Sequence, residues 1–184
     1  SSCKNGTERV FEVSQQFPSY SYFMNFQGDE PLFNPLVLTK MLESTGFKDN
    51  SFKVSVSQST RRSNDPSEAK VAIQDDGRIR YVSRSPSPFH LGREKKPFKI
   101  QGVFLYTAQV LERFVNAPVG ALEITERLEQ LRCIENEIEL LAIFCEGAPR
   151  SVDTPADLKY YRRLPLESQL HRKSVRHNKW LCFC

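Results

Sequence analysis

The 184-residue sequence predicts an α/β fold in which helices sandwich a mostly parallel sheet, and three observations lead there. Strand-like apolar runs alternate along the chain with segments of helical spacing. The run Ile138, Leu140, Leu141, Ile143, Phe144 has no polar face, the composition of a strand inside a covered sheet. Lys70 to Gln74 and Arg78 to Ser83 flank Asp75-Asp76-Gly77, a turn sequence that adds a local antiparallel hairpin.

Taken in order, Tyr22 to Gln27 forms a strand closed by Gly28 and Pro31. Pro35 to Glu43 carries Leu38, Met41 and Leu42 at helical spacing, with Pro35 suited to the first turn and Gly46 beyond the end. Phe52, Val54 and Val56 alternate within Ser51 to Ser57, as in a half-buried strand. Ser85 to Pro97 is rich in proline and charge and forms a loop. Ile100 to Tyr106 is a strand, and Ala108 to Val115 and Glu123 to Ile134 are helices. The second of these places Ile124, Leu128, Leu131 and Ile134 on one face. Glu137 to Phe144 is a strand and Ser151 to Tyr161 a helix. The domain is expected over residues 1–163. Residues 164–184 have no helical face and are expected to form a poorly ordered tail.

Hydrophobic residues make up 39% and charged residues 26% of the chain, the balance of one soluble domain. No apolar run approaches the roughly 20 residues of a membrane span. The net charge of +4 belongs to the C-terminal end: from Arg162 onward, Arg162, Arg163, Arg172, Lys173, Arg176 and Lys179 stand against one acid, Glu167, and the body is close to neutral. The charge gives no support to a phosphate-binding surface spread over the fold, and nucleic acid is not an expected partner. A contact of the tail with nucleic acid or an acidic surface, through its basic residues and Trp180, is the alternative reading. Five cysteines without a CxxC pair exclude a disulfide framework and a structural zinc site. Cys133 and Cys145 lie in apolar surroundings, as buried thiols of a cytoplasmic protein.

In open α/β sheets, ligands sit beyond the carboxyl ends of strands. Asp29 follows the Tyr22–Gln27 strand, and Asp153 follows the Glu137–Phe144 strand. Together the two carboxylates suit a hard cation such as magnesium, which keeps its remaining positions for water and phosphate oxygens. Each has a local alternative. Gly28-Asp29-Glu30-Pro31 is good turn chemistry. Asp153 or Thr154 can cap a helix whose first turn holds Pro155 and Asp157. The phosphate-loop sequence GxxxxGK[ST], GxGxxG, HExxH and GxSxG are all missing.

Five stretches occur in one order: NGTERV at 5–10, NFQGDEPL at 25–32, AKV through YVSRSPSPF at 69–89, LEQLR at 128–132 and SVDTPADL at 151–158. That series resembles the 3-deoxy-manno-octulosonate (Kdo) cytidylyltransferases, over roughly residues 3 to 162. The resemblance implies a Rossmann-like fold of the nucleotide-diphospho-sugar transferase type. It also implies magnesium-dependent transfer of CMP from CTP to Kdo, for lipopolysaccharide biosynthesis, with release of pyrophosphate. By match to the family motifs, Asp29 and Asp153 would hold the metal, and Gly6, Thr7 and Arg9 would lie against the cytidine. Gln27, Arg84, Glu129 and Gln130 would line the sugar-acid site, Arg84 facing the carboxylate. The resemblance further implies a homodimer joined through the hairpin subregion. Where the family carries a His and a Tyr around its strand glycine, this sequence has Ile100 and Phe104 about Gly102. Family members also begin with a strand and a basic, glycine-containing loop for the triphosphate. This sequence enters the pattern at NGTER, so that segment is expected to be missing and the 184-residue chain to be inactive or nearly so alone.

Overall fold

The computed structural model describes residues 3–30, 34–46, 49–59, 64–89, 91, 96–146, 151–152 and 154–164, with the backbone of 182–183. The chain opens with helix α1 (Gly6–Ser14), strand β1 (Tyr22–Phe26), helix α2 (Leu36–Glu43) and strand β2 (Phe52–Gln58). A hairpin of β3 (Lys70–Ile73) and β4 (Ile79–Ser83) follows, then the long strand β5 (Phe98–Thr107). Helices α3 (Ala108–Asn116), α4 (Ala121–Glu126) and α5 (Gln130–Glu135) lead to β6 (Leu140–Phe144) and α6 (Pro155–Arg162), and Cys182–Phe183 forms a short strand, β7.

The α/β architecture is the expected one, with helices packed on a central sheet, but the sheet is mixed where a mostly parallel one was predicted. β5 runs antiparallel to β1, β2 and β3, while β6 pairs with β2 and β7 with β1 in parallel. The reason lies in the connection. A parallel return needs a crossover, usually helical, whereas the chain leaves β2, makes the hairpin and enters β5 directly.

Two apolar clusters lie on the sheet. One joins Phe23, Phe52, Val54, Phe104 and Tyr106 to Val10 of α1, Val110, Leu111 and Phe114 of α3, and Leu131 of α5. The other joins Met24, Val103 and Leu105 to Val37 and Met41 of α2 and to Cys145. Cys133 and Cys145 are buried free thiols. Helices on both faces explain why β2 is not the half-buried strand expected: Lys53, Ser55 and Ser57 on its polar set are buried as well. Two of them are reached by polar partners, Lys53 Nζ donating to Ser44 O at 2.7 Å and Ser55 Oγ to Val103 O at 2.9 Å, while Ser57 Oγ has no hydrogen-bond partner among the described residues.

Three further elements depart from expectation. Helix α1 had no periodic apolar stripe to announce it. It is started by Asn5, whose side chain accepts the Glu8 N–H at 2.8 Å. The helix expected over Glu123–Ile134 is two short helices, because Arg127 sits in the left-handed region at φ 55°. Ile124, which one continuous helix would have buried, is 66% exposed. The strand expected from Glu137 begins only at Leu140, after Glu137 at φ 54°. Gly77, at φ 85°, turns the hairpin as expected. Helix α6 starts with Thr154 as its cap, in a reciprocal capping box with Asp157 and with Pro155 in the first turn. Among the described residues no helix is long and apolar enough to cross a membrane. The expectation of a poorly ordered tail falls mainly on residues 165–181, outside those described.

Candidate active site

Three strands frame the site. Along one edge of β5, β1 pairs as far as Phe26 opposite Val103, and β3 takes over at Lys70 opposite Lys99. Between those points no strand among the described residues lies beside β5 on that edge. Its backbone is met instead by the loops leaving β1 and entering β3. Gln27 N–H donates to Gly102 O at 2.8 Å, Gly102 N–H to a Glu30 carboxylate oxygen at 2.9 Å, and Ile100 N–H to Ala69 O at 2.9 Å. A cavity of about 330 Å³ opens there. Gly102 is required at its floor, since a Cβ would stand 2.7 Å from Cβ of Gln27.

Six of the nine sequence-predicted residues converge on this cavity: Gly6, Gln27, Asp29, Arg84, Glu129 and Gln130. Ile100 and Phe104 line it as well. Thr7 is buried with its hydroxyl 3.0 Å from the Tyr106 hydroxyl, and Arg9 is exposed on α1; neither lines the cavity. Asp153 lies outside the described residues. Its neighbours approach: Val152 N–H donates to Asp29 O at 2.8 Å, and Ser151 is in the cavity wall.

Arg84 is held by backbone carbonyls. Its Nε donates to Glu126 O at 2.9 Å, Nη1 to Pro66 O at 2.9 Å and Nη2 to Arg127 O at 3.4 Å. The Glu126 carboxylate accepts Arg84 N–H and Ser83 Oγ–H, both at 2.9 Å. Fully buried Lys70 donates to Arg84 O at 2.7 Å and to Asp65 O. This clasp joins the start of β3, the end of β4 and the α4–α5 bend. Five guanidinium N–H groups serve three carbonyls, which leaves two for a ligand.

Glu129 starts the next turn and accepts the Thr7 N–H at 3.3 Å, at the N-terminus of α1. Burial pushes its carboxyl up to about 7, although the bonds from Thr7 pull the other way. It therefore changes charge near neutral pH. Sequence reading missed Glu68, Lys99, Gln101 and Arg127, all in the cavity wall. Lys99 and Glu68 form a buried ion pair at 3.4 Å, and Ser59 donates to the same carboxylate. Gln101 is 1% exposed, and neither end of its amide has a hydrogen-bond partner among the described residues. The signal for Lys99 and Gln101 was there: two polar residues in an otherwise apolar strand.

A divalent cation needs hard oxygen donors. Asp29, exposed at the cavity edge, is one, and its backbone bond to Val152 brings the chain to within one residue of Asp153. Of the two predicted ligands, the described part of the site holds Asp29, and among the described residues no group of three His, Cys, Asp or Glu converges to hold such an ion.

A cytidylyltransferase family model matches residues 1–141. The 3-deoxy-manno-octulosonate cytidylyltransferase of Acidobacterium capsulatum is 37% identical over 172 residues, which cover 90% of this chain and 68% of that protein. The chain belongs to the cytidylyltransferase family. The enzyme of the same description from Elusimicrobium minutum is 34% identical, over 88% of this cytidylyltransferase and 69% of its own length. A solved CMP:2-keto-3-deoxy-manno-octonic acid synthetase in complex with CTP superimposes with a TM-score of 0.80 at 27% identity, over 91% of this chain and 70% of that one. A putative glucose-1-phosphate thymidylyltransferase from Bacillus anthracis, at 13% identity and a TM-score of 0.62, shares the fold. This cytidylyltransferase thus spans about two thirds of the length of its relatives.

Proposed function

We propose that this cytidylyltransferase couples Kdo to CTP. The anomeric oxygen of the sugar acid forms a bond to the α-phosphorus, the bond to the β-phosphate oxygen breaks, and pyrophosphate leaves. The observation that carries this reading is the convergence of Gln27, Asp29, Arg84, Glu129 and Gln130 on one cavity, from three separated stretches of a chain similar to Kdo enzymes.

In this reading the two remaining N–H groups of Arg84 meet the sugar carboxylate, and the backbone clasp fixes their direction before the ligand arrives. Gln27 and Gln130 supply amide donors and acceptors to hydroxyls. Glu129 does the same, donating when protonated below about pH 7 and accepting above it. Gly6, Thr7 and Arg9 at the start of α1 serve the cytidine end. Asp29 and Asp153 would hold magnesium, which when bound neutralises charge on the attacking and leaving oxygens. Ile100 and Phe104 give the sugar site an apolar side. The test is pyrophosphate release from CTP, Kdo and magnesium by the protein. Asp29→Ala abolishes it with the fold intact; unchanged turnover removes Asp29 from the metal site.

The same reading places the reaction in the cytoplasm, consistent with buried thiols. It gives the chain a second copy as partner through the hairpin region. There Val71, Ile73, Pro88, Pro97, Phe98 and Phe144 line a groove of about 640 Å³, and Phe144 is 47% exposed. Sedimentation measures this directly: a monomer at tens of micromolar would end it.

A further inference from the structure

The break between α4 and α5 carries a group that the reading above does not use. Arg127 holds φ 55° and ψ 47°, a conformation disfavoured for any residue with a Cβ and natural for glycine. The sequence nevertheless has arginine there. The bend is pinned by Arg84, whose side chain donates to the carbonyls of both Glu126 and Arg127. Arg84 and Arg127 both belong to the cavity wall, and the Arg84 side chain touches Arg127 at its carbonyl oxygen. Unlike that of Arg84, the Arg127 guanidinium is exposed and makes no hydrogen bond or ion pair with a described residue.

The other charges of the cavity sharpen the contrast. Lys99 is already matched to Glu68. Asp29, Glu30 and Glu129 are acids, and Glu30 is occupied by the Gly102 N–H. Among the described residues of the cavity wall, Arg84 and Arg127 are the cations not matched to a carboxylate.

We propose that Arg127 is a specificity-determining residue that closes a two-guanidinium clamp with Arg84 on the carboxylate of the bound sugar acid. A planar carboxylate accepts two forked donors at once, which accounts for an arginine kept where glycine would relax the backbone. The inference rests on the proposal that the cavity takes a sugar acid.

The experiment titrates the protein with Kdo, with its carboxamide analogue and with CTP, by calorimetry, for wild type, Arg127→Gly, Arg127→Lys and Arg84→Ala. Arg127→Gly keeps or raises the melting temperature, because glycine suits the left-handed bend, and weakens Kdo binding about tenfold. Arg127→Lys retains charge without the fork and falls between. The carboxamide analogue binds wild type and Arg127→Gly equally, and CTP affinity is unchanged. Wild-type affinity for Kdo in Arg127→Gly overturns the clamp and leaves Arg127 a solvated helix end. An equal loss for CTP overturns it in favour of a phosphate contact. No binding of Kdo by wild type defeats the underlying sugar-acid reading instead.

Discussion

Removing Arg132 should cost this fold a large share of its stability. The side chain is only 3% exposed, with Nε and Nη2 each 2.7 Å from the Glu123 carboxylate and Nη1 3.2 Å from Glu8. Its guanidinium carbon lies 4.5 Å from the centre of the Phe114 ring. One residue therefore ties α1, α3, α4 and α5 together. In Arg132→Met, Glu8 keeps the Lys4 N–H and the Asn5 amide, but the Glu123 carboxylate, 12% exposed, loses its ion partner. Isolating a buried charge costs about 3–5 kcal/mol, against about 5–15 kcal/mol for a whole domain. With a urea slope of about 2 kcal/mol/M, the unfolding midpoint should fall by roughly 2 M, followed by far-ultraviolet circular dichroism at pH 7.5. The double variant Arg132→Met/Glu123→Met, which buries no orphan charge, should recover at least half the loss. A single-variant loss under about 1 kcal/mol, or a double variant no better than the single, would refute the reasoning. Burial raises Glu8, but the Lys4 N–H and Arg132 outweigh it and hold its carboxyl below the usual range. Its share of the stability is thus present at neutral pH and fades as acid protonates it in the folded state.

Glu129 behaves oppositely. Its folded carboxyl titrates at about 7 against 4.5 unfolded, so its contribution is full below pH 4.5 and lost as pH rises through 7. Glu129→Gln should flatten that decline between pH 5 and 8, by roughly 3 kcal/mol at most; identical pH–stability curves would remove the shift. Gln101→Met replaces a buried amide that has no partner among the described residues with an apolar side chain of similar size. It should stabilise the free protein by about 1–2 kcal/mol in urea unfolding, and any destabilisation would show the amide to be satisfied. Gly102→Ala drives a methyl against Gln27. It should cost about 1–3 kcal/mol and weaken Kdo binding, whereas wild-type binding calorimetry would show that Gln27 can yield freely.

Much of this was legible in the sequence because local chemistry and the fold agree. Gly77 turned the hairpin, Thr154 and Pro155 started α6, and the motif series brought Gln27, Asp29, Arg84, Glu129 and Gln130 to one cavity. What was not legible depends on contacts distant in sequence. Periodicity made one helix of Glu123–Ile134, and only Arg84, some 40 residues earlier, shows why it breaks at Arg127. Lys70 and Lys99 interrupt apolar strands, a pattern that normally turns a residue outward. Here the Arg84 carbonyl and the Glu68 carboxylate receive them inside. Strand direction was misjudged for a related reason: periodicity carries no sign of whether a chain returns through a crossover.

The frame of the cavity sets a rule for its size. It is the interval on β5 between the last residue paired with β1 and the first paired with β3, Val103 and Lys99, or about 13 Å at the usual rise per residue. Side chains alternate faces along a strand, so this interval cannot be tuned continuously. Shifting β3 by one residue against β5 would invert which side chains look into the cavity, and only a shift by two preserves them. Gradual adjustment to a longer or shorter ligand is left to the side chains around the interval. The interval itself can change only in steps of about 7 Å.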